Sequence, residues 1–216
     1  VVPHKQGNPL TRQPINSLTK IGIMGGTFDP IHYGHLILAE QAWEQLGLEN
    51  VVFITAADPP HKASEAVSEA GLRHEMVRLA VINNEHFECS TIEIDRPGPS
   101  YSIDTLRQII GLYGEETCVY LLLGADEAAG FMTWRDPYAI QELATVVVAN
   151  RPGLSVARAL DALPADFAKN VTPLSMPGVD VSSTDIRERV RRGGSIKYLV
   201  PEAVESFIIE KGLYRG

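Results

Sequence analysis

Short, almost purely apolar runs alternate with stretches of helical periodicity along nearly all of this 216-residue chain. Lys20–Met24, Val51–Thr55, Cys118–Leu123 and Thr145–Ala149 are strand-length and carry no polar alternation, which predicts strands buried on both faces. Phe87–Ser90, Ile92–Ile94 and Val171–Leu174 add shorter strands. Between them, Gly34–Leu48 places Leu38, Ala39, Ala42, Trp43 and Leu46 at helical spacing, with Gly47 as its end. Leu72–Ile82, Ser102–Leu112, Pro137–Leu143, Val156–Leu160, Thr184–Arg192 and Pro201–Lys211 read as further helices. Strands separated by helices predict an α/β fold, a Rossmann-like parallel sheet with helices on both faces. Residues 1–19, with Pro3, Pro9 and Pro14, read as an irregular lead-in, and 20–216 as a single domain.

Bulk properties narrow the partners. With 44% apolar and 21% charged residues the chain can bury a full core. A net charge of -8 argues against general affinity for nucleic acid, which needs a basic face. The longest apolar runs fall far short of the roughly 20 residues that span a bilayer, and the first residues hold no signal-peptide core. Cys89 and Cys118 fit no metal-ligand spacing and read as core thiols, so a cytoplasmic setting is expected. Self-association into a homo-oligomer is left open.

In a parallel sheet, ligands bind beyond the carboxyl ends of the strands, and the chemically suggestive residues fall there. After the first strand comes Gly25-Gly26-Thr27-Phe28-Asp29-Pro30-Ile31-His32-Tyr33-Gly34-His35. Gly25 and Gly26 let backbone approach a phosphate and permit positive φ. Asp29-Pro30 is turn chemistry, with Asp29 able to bond local amides. His32 and His35, three apart at a helix mouth, can point to one side and donate to phosphate oxygens as their charge grows; Gly34 keeps the space between them clear. Structural histidines, or metal ligands still lacking a third partner, are the alternatives. The segment is neither a Walker loop nor a dinucleotide fingerprint. Near the other end, Ser182-Ser183-Thr184-Asp185-Ile186-Arg187 opens a helix with hydroxyls, fits a capping box, and sets Arg187 one turn in. It suits a triphosphate, or simply a well-capped surface helix; Arg189, Arg191 and Arg192 read as water-facing.

His32-Tyr33-Gly34-His35 resembles the signature of the nucleotidyltransferases with a His-x-Gly-His motif. That resemblance implies ATP bound by Gly25, Gly26, Thr27, Phe28, His32, His35, Ser182, Ser183, Thr184 and Arg187, with direct attack by an acceptor phosphate. Four further segments, PPHK at 59–62, SYSIDTL at 100–106, GADEAAGFMTW at 124–134 and SSTDIR at 182–187, resemble the bacterial nicotinate-mononucleotide adenylyltransferases over nearly all of 20–213. Ser102 stands where Thr is usual in that family, and the hydroxyl survives. The resemblance implies that Trp134 stacks on nicotinate and that Ser102, Thr105 and the backbone around Arg135 hold its carboxylate. Gly124, Ala125 and Asp126 would contact the nucleotide, with Arg135 and Arg151 supplying positive charge. Catalysis would rest on His35, His32, Arg187 and Lys62, with Mg²⁺ carried by ATP and no metal ligands of the protein's own. ATP and nicotinate mononucleotide are thus the expected partners, with neither nucleic acid nor membrane. Nicotinamide mononucleotide or phosphopantetheine as acceptor, and a nucleotide sensor without turnover, are the rivals. Loops 56–70 and 96–101 are expected to move.

Overall fold

The computed structural model describes residues 18–59, 67–150, 153 and 155–215. Six strands form one sheet: β1 (Lys20–Gly26), β2 (Asn50–Thr55), β3 (Phe87–Ser90), β4 (Cys118–Gly124), β5 (Thr145–Ala149) and β6 (Thr172–Leu174). Their spatial order is β3-β2-β1-β4-β5-β6, and every pairing is parallel. The helices are α1 (Tyr33–Leu46), α2 (Ala70–Val81), α3 (Ser102–Tyr113), α4 (Ala125–Ala129), α5 (Pro137–Leu143), α6 (Val156–Leu160), α7 (Ala165–Ala168), α8 (Ser183–Arg191) and α9 (Glu202–Lys211).

Strand composition dictates the layering. All six residues of β2 are buried, so successive side chains feed two different cores. Val51 and Phe53 pack with α1, α2, α8 and α9 on one face. Val52 and Ile54 pack with α3, α4, α5 and the short helices α6 and α7 on the other. Phe53 is wholly enclosed and meets Phe28 and Phe87 at ring-centroid distances of 6.0 and 5.2 Å; burying one such side chain contributes about 1.5–3 kcal/mol. Gly47, at φ 61°, ends α1 in the left-handed conformation and returns its N–H to the Trp43 carbonyl.

Two local expectations need correction, and three short elements were not foreseen. Ile92–Ile94 is turn, not strand. β3 is an edge strand whose pairing with β2 ends at Ser90, and Asp95 folds back to donate its N–H to the Thr91 carbonyl. The helices Ala125–Ala129 and Ala165–Ala168 and the 3₁₀ turn Phe131–Thr133 had no distinct sequence signal, because each is too short to show a period. Cys89 and Cys118 are only half-buried; burial nevertheless pushes the Cys89 thiol up from its usual range.

The order of strands creates the site. Helices after β1 and β2 lie on one face, while those after β3, β4 and β5 lie on the other. The chain therefore diverges at β1 and β4, leaving a crevice beyond their carboxyl ends.

Candidate nucleotide-binding cleft

A cleft of about 310 Å³ opens at that divergence. One wall is the β1–α1 loop with Thr27, His32 and His35. The opposite wall is the start of α8 with Ser182, Ser183 and Arg187. Gly124, Asp126 and Glu127, after β4, and Asn150, after β5, form the floor and far side.

The two imidazoles are arranged by the helix they open. His32 is the N-cap of α1, with extended backbone, and its ring stacks on His35 with centroids 3.8 Å apart and planes 22° from parallel. The His32 N–H donates to Nδ1 of His35 at 3.3 Å. Because that nitrogen accepts, a neutral His35 carries its proton on Nε2. A side chain at position 34 would press its Cβ to 3.0 Å from the His32 ring and 3.3 Å from Val181. Gly34 therefore keeps the stack and the facing wall in place. No acidic residue occupies the first turn of α1, which leaves the positive end of its dipole uncompensated by the helix's own side chains.

The second wall is fastened to the first. The Ser183 hydroxyl donates to the Pro30 carbonyl at 2.8 Å, and Nη1 of Arg187 donates to the Asp29 carbonyl at 2.8 Å. Ser182 caps α8 by accepting the Asp185 N–H at 3.1 Å while its own hydroxyl donates to the Asp185 carboxylate. This is the N-cap half of the expected capping box; the Asp185 carboxylate meets the Ser182 hydroxyl and not its backbone N–H.

Behind the loop lies a layer with no sequence signature. Arg73, 1% exposed on α2, donates to the carbonyls of Thr27, Ala56 and Ser68 at 2.7 Å each and to Ala57 at 3.3 Å. Burial pushes its guanidinium pKa down, and neighbouring Asp29 opposes the shift. The Asp29 carboxylate accepts the Ser68 N–H at 3.1 Å and the Tyr214 hydroxyl at 2.6 Å. Its partners are thus 39 and 185 residues away, not the local amides expected. Neither Gly25 nor Gly26 has positive φ; the left-handed residue of the loop is Phe28, at φ 50°. Phe28 itself is core, 3% exposed, with its ring 5.1 Å from that of His35. A Cβ on Gly26 would meet the Phe28 ring at 3.0 Å, whereas one on Gly25 would meet no protein atom within 4 Å. Gly26 is required by this packing, and Gly25 leaves open space.

The remaining candidates divide into two groups. Gly124 and Asp126 reach the cleft, while Ala125 is buried beneath them in the other core. A Cβ on Gly124 would come within 2.7 Å of the Asp126 carboxylate. The Arg135 guanidinium lies 4.7 Å over the ring of Tyr101, the residue that precedes Ser102 at the start of α3. Trp134 packs on Phe131 at 4.8 Å. Thr105 is 3% exposed, and its hydroxyl donates to Glu93 at 2.5 Å and accepts from Arg96 at 3.0 Å. None of Ser102, Thr105, Trp134 and Arg135 lines the cleft itself, and Gly25 and Thr184 also stand off its wall. Thr184 instead accepts from Arg187 at 3.3 Å. Lys62, with most of the PPHK segment, and Arg151 lie outside the described residues. Asn150, Glu127 and Asp29 were missed as cleft residues. Asn150 sits there because its amide closes a two-way pair with the Met176 backbone, a contact between distant segments that no local pattern reveals.

Among the described residues no three His, Cys, Asp or Glu side chains gather as a metal site, and no helix is long and apolar enough to cross a membrane.

Residues 23–189 match the cytidylyltransferase-like family. The chain is 44% identical over 199 residues to a protein of Desulfitobacterium hafniense, covering 91% of this chain and 96% of that one. It is 45% identical over 196 residues to a protein of Thermus thermophilus, covering 91% and 100%. Both relatives carry the name "Probable nicotinate-nucleotide adenylyltransferase". Among solved structures, the nicotinic acid mononucleotide adenylyltransferase of Plasmodium falciparum complexed with NaAD shares the fold. Its TM-score is 0.75 at 17% identity, over 91% of this chain and 97% of that one.

Proposed function

Because this chain belongs to the cytidylyltransferase-like family, and to the nicotinate-nucleotide adenylyltransferases, we propose that the cleft at the ends of β1 and β4 is where ATP meets a pyridine mononucleotide. The enzyme transfers the adenylyl group of ATP to nicotinate mononucleotide, giving nicotinate adenine dinucleotide and pyrophosphate, a step of NAD biosynthesis. An oxygen of the acceptor phosphate attacks the α-phosphorus. The bond to the β-phosphate oxygen breaks, and pyrophosphate leaves with that electron pair. The attacking phosphate is already an anion near neutral pH, so the chemistry calls for alignment and charge neutralisation, with no base to create the nucleophile.

The observation that carries this reading is the convergence of the His32–His35 stack and the Ser182–Arg187 helix start on one cleft. His35, donating through Nε2, and His32 stabilise the growing negative charge on the transferring and leaving phosphates. Gly25, Gly26, Thr27 and Phe28 shape the loop that receives ATP. Ser182, Ser183, Thr184 and Arg187 present a helix N-terminus and a guanidinium to the triphosphate. Lys62 and Arg151 add positive charge. Trp134 stacks on the nicotinate ring, with Ser102 and the backbone around Arg135 receiving its carboxylate. Thr105, bonded to Glu93 and Arg96, holds that wall, and Gly124, Ala125 and Asp126 border the nucleotide.

A divalent metal accompanies ATP in this chemistry, and we take it to be Mg²⁺. The Asp29 carboxylate in the cleft wall is already bonded to Ser68 and Tyr214. An ion carried by ATP would be held chiefly by phosphate oxygens and water, with the Asp126 and Glu127 carboxylates on the same cleft, and would supply further charge neutralisation. We place the enzyme in the cytoplasm and read 20–216 as its one catalytic domain.

Pyrophosphate release, measured with ATP and each pyridine mononucleotide side by side, tests the assignment. We expect release with nicotinate mononucleotide and a much lower kcat/KM with the amide. A preference for the amide would reverse the acceptor assignment, and no release with either would leave a nucleotide-binding protein without turnover.

A further inference from the structure

Tyr214 lies outside every motif that marks the cleft, yet its hydroxyl donates to the Asp29 carboxylate at 2.6 Å. Asp29 is 4% exposed and sits inside the loop that ends in His32. Its second carboxylate oxygen takes the Ser68 N–H, and its backbone carbonyl takes Arg187. Arg73 grips the same loop from below through the Thr27 carbonyl. Asp29 thus stands where three distant segments meet: the turn before α2, the start of α8 and the stretch after α9. Burial, and then the Asp29 charge, push the Tyr214 hydroxyl pKa well above its usual value, so it is a constant donor across neutral pH.

We propose that Tyr214 is a positioning residue for adenylyl transfer, acting through Asp29 to set the β1–α1 loop and the Arg187 guanidinium against each other. The inference rests on the reading of the cleft as the triphosphate site. Asp29 alone has no side-chain route to the phosphates, because both of its oxygens are bonded within the protein. Its effect on chemistry is geometric: tilting Asp29 moves the carbonyl that holds Arg187 and the backbone two residues before Ile31-His32. Small misplacements of aligned groups cost rate far more than they cost binding.

The test is a double-substitution cycle on the full chain, with Tyr214→Phe and Asp29→Asn made singly and together. Tyr214→Phe keeps the ring in its apolar surroundings and removes only the hydroxyl, with its bond to Asp29 and its contacts to Ser68 and Met76. We expect kcat to fall about 10- to 100-fold, with KM for the mononucleotide unchanged within about twofold, on the same principle. In the Asp29→Asn background, the Tyr214→Phe change should then cost less than about twofold, the non-additivity expected of two residues acting as one unit. Hydrogen exchange of the 27–35 amides provides a readout independent of turnover, and should quicken in Tyr214→Phe while α3 is unaffected. Unchanged kcat and unchanged exchange in Tyr214→Phe would overturn the proposal, as would an equal loss in both backgrounds or loss of the native fold. Absence of turnover in the unaltered protein would instead sink the functional reading, leaving the exchange measurement to decide on Tyr214.

Discussion

His35 accepts the His32 amide on one ring nitrogen and lines the cleft, the placement that the proposed phosphate donor needs. Its Nδ1 receives the His32 amide, which fixes both the ring plane and the tautomer. Replacing His35 with Ala removes a preorganised donor while leaving α1 a good helix former. We expect kcat for pyrophosphate release to drop about 10²–10³-fold with the melting temperature little changed; near-normal turnover in a folded His35→Ala protein would remove the residue from the mechanism. The histidine pair and Gly34 were readable from spacing alone, because three residues along a helix is a local relation. Phe28 was not, since its left-handed backbone and its place beneath His35 depend on Phe53 from the neighbouring strand. The glycines were read as letting backbone approach a phosphate and permitting positive φ; neither uses that freedom, and Gly26 makes room for the Phe28 ring.

Among the elements, α2 has the widest mechanical reach, and Arg73 is the reason. One guanidinium satisfies four carbonyls that terminate β2, open the α2 approach and carry the β1–α1 loop. Arg73→Met would keep much of the volume but leave buried carbonyls without donors and Asp29 without its cationic neighbour. We expect a loss of about 3 kcal/mol or more in urea unfolding, with the 27–35 loop the first region to lose exchange protection; an unfolding midpoint like that of the parent would show that water replaces the guanidinium at no cost. Apolar periodicity located α1, α3, β2, β4 and β5 to within a residue or two, because each buries one face or both. It gave no hint of Arg73, since a cation in a helix reads as solvated until the loops around it are known. It misread Ile92–Ile94, whose apolar alternation is real but lies past the last partner strand.

For the molecule as a whole, a histidine away from the cleft sets an acid limit. His74, half-buried on α2, has Nδ1 enclosed without a hydrogen-bond partner among the described residues. Desolvation lowers its pKa below the usual 6.5; Glu75 opposes the shift, Arg78 adds to it, and Asp95 opposes it. The unfolded chain therefore binds a proton at higher pH than the folded one, so stability is full above about 6.5 and declines as pH falls towards the folded value. Melting temperature followed from pH 8 to 5.5 should fall in that window, and His74→Asn should flatten the fall there. An unaltered slope would trace it to other groups. At this scale the parallel sheet was legible from alternation, and the rule for strand ends pointed to where the cleft lies. The fastening of the cleft walls was not, because it depends on bonds between distant segments: the Asp29 carbonyl and Arg187 meet across 158 residues, and the Asp29 carboxylate and Tyr214 across 185. A ribosome delivers both histidines long before it makes either fastening. Unfinished or prematurely released chains therefore carry the recognisable signature while lacking the α8 wall that faces it.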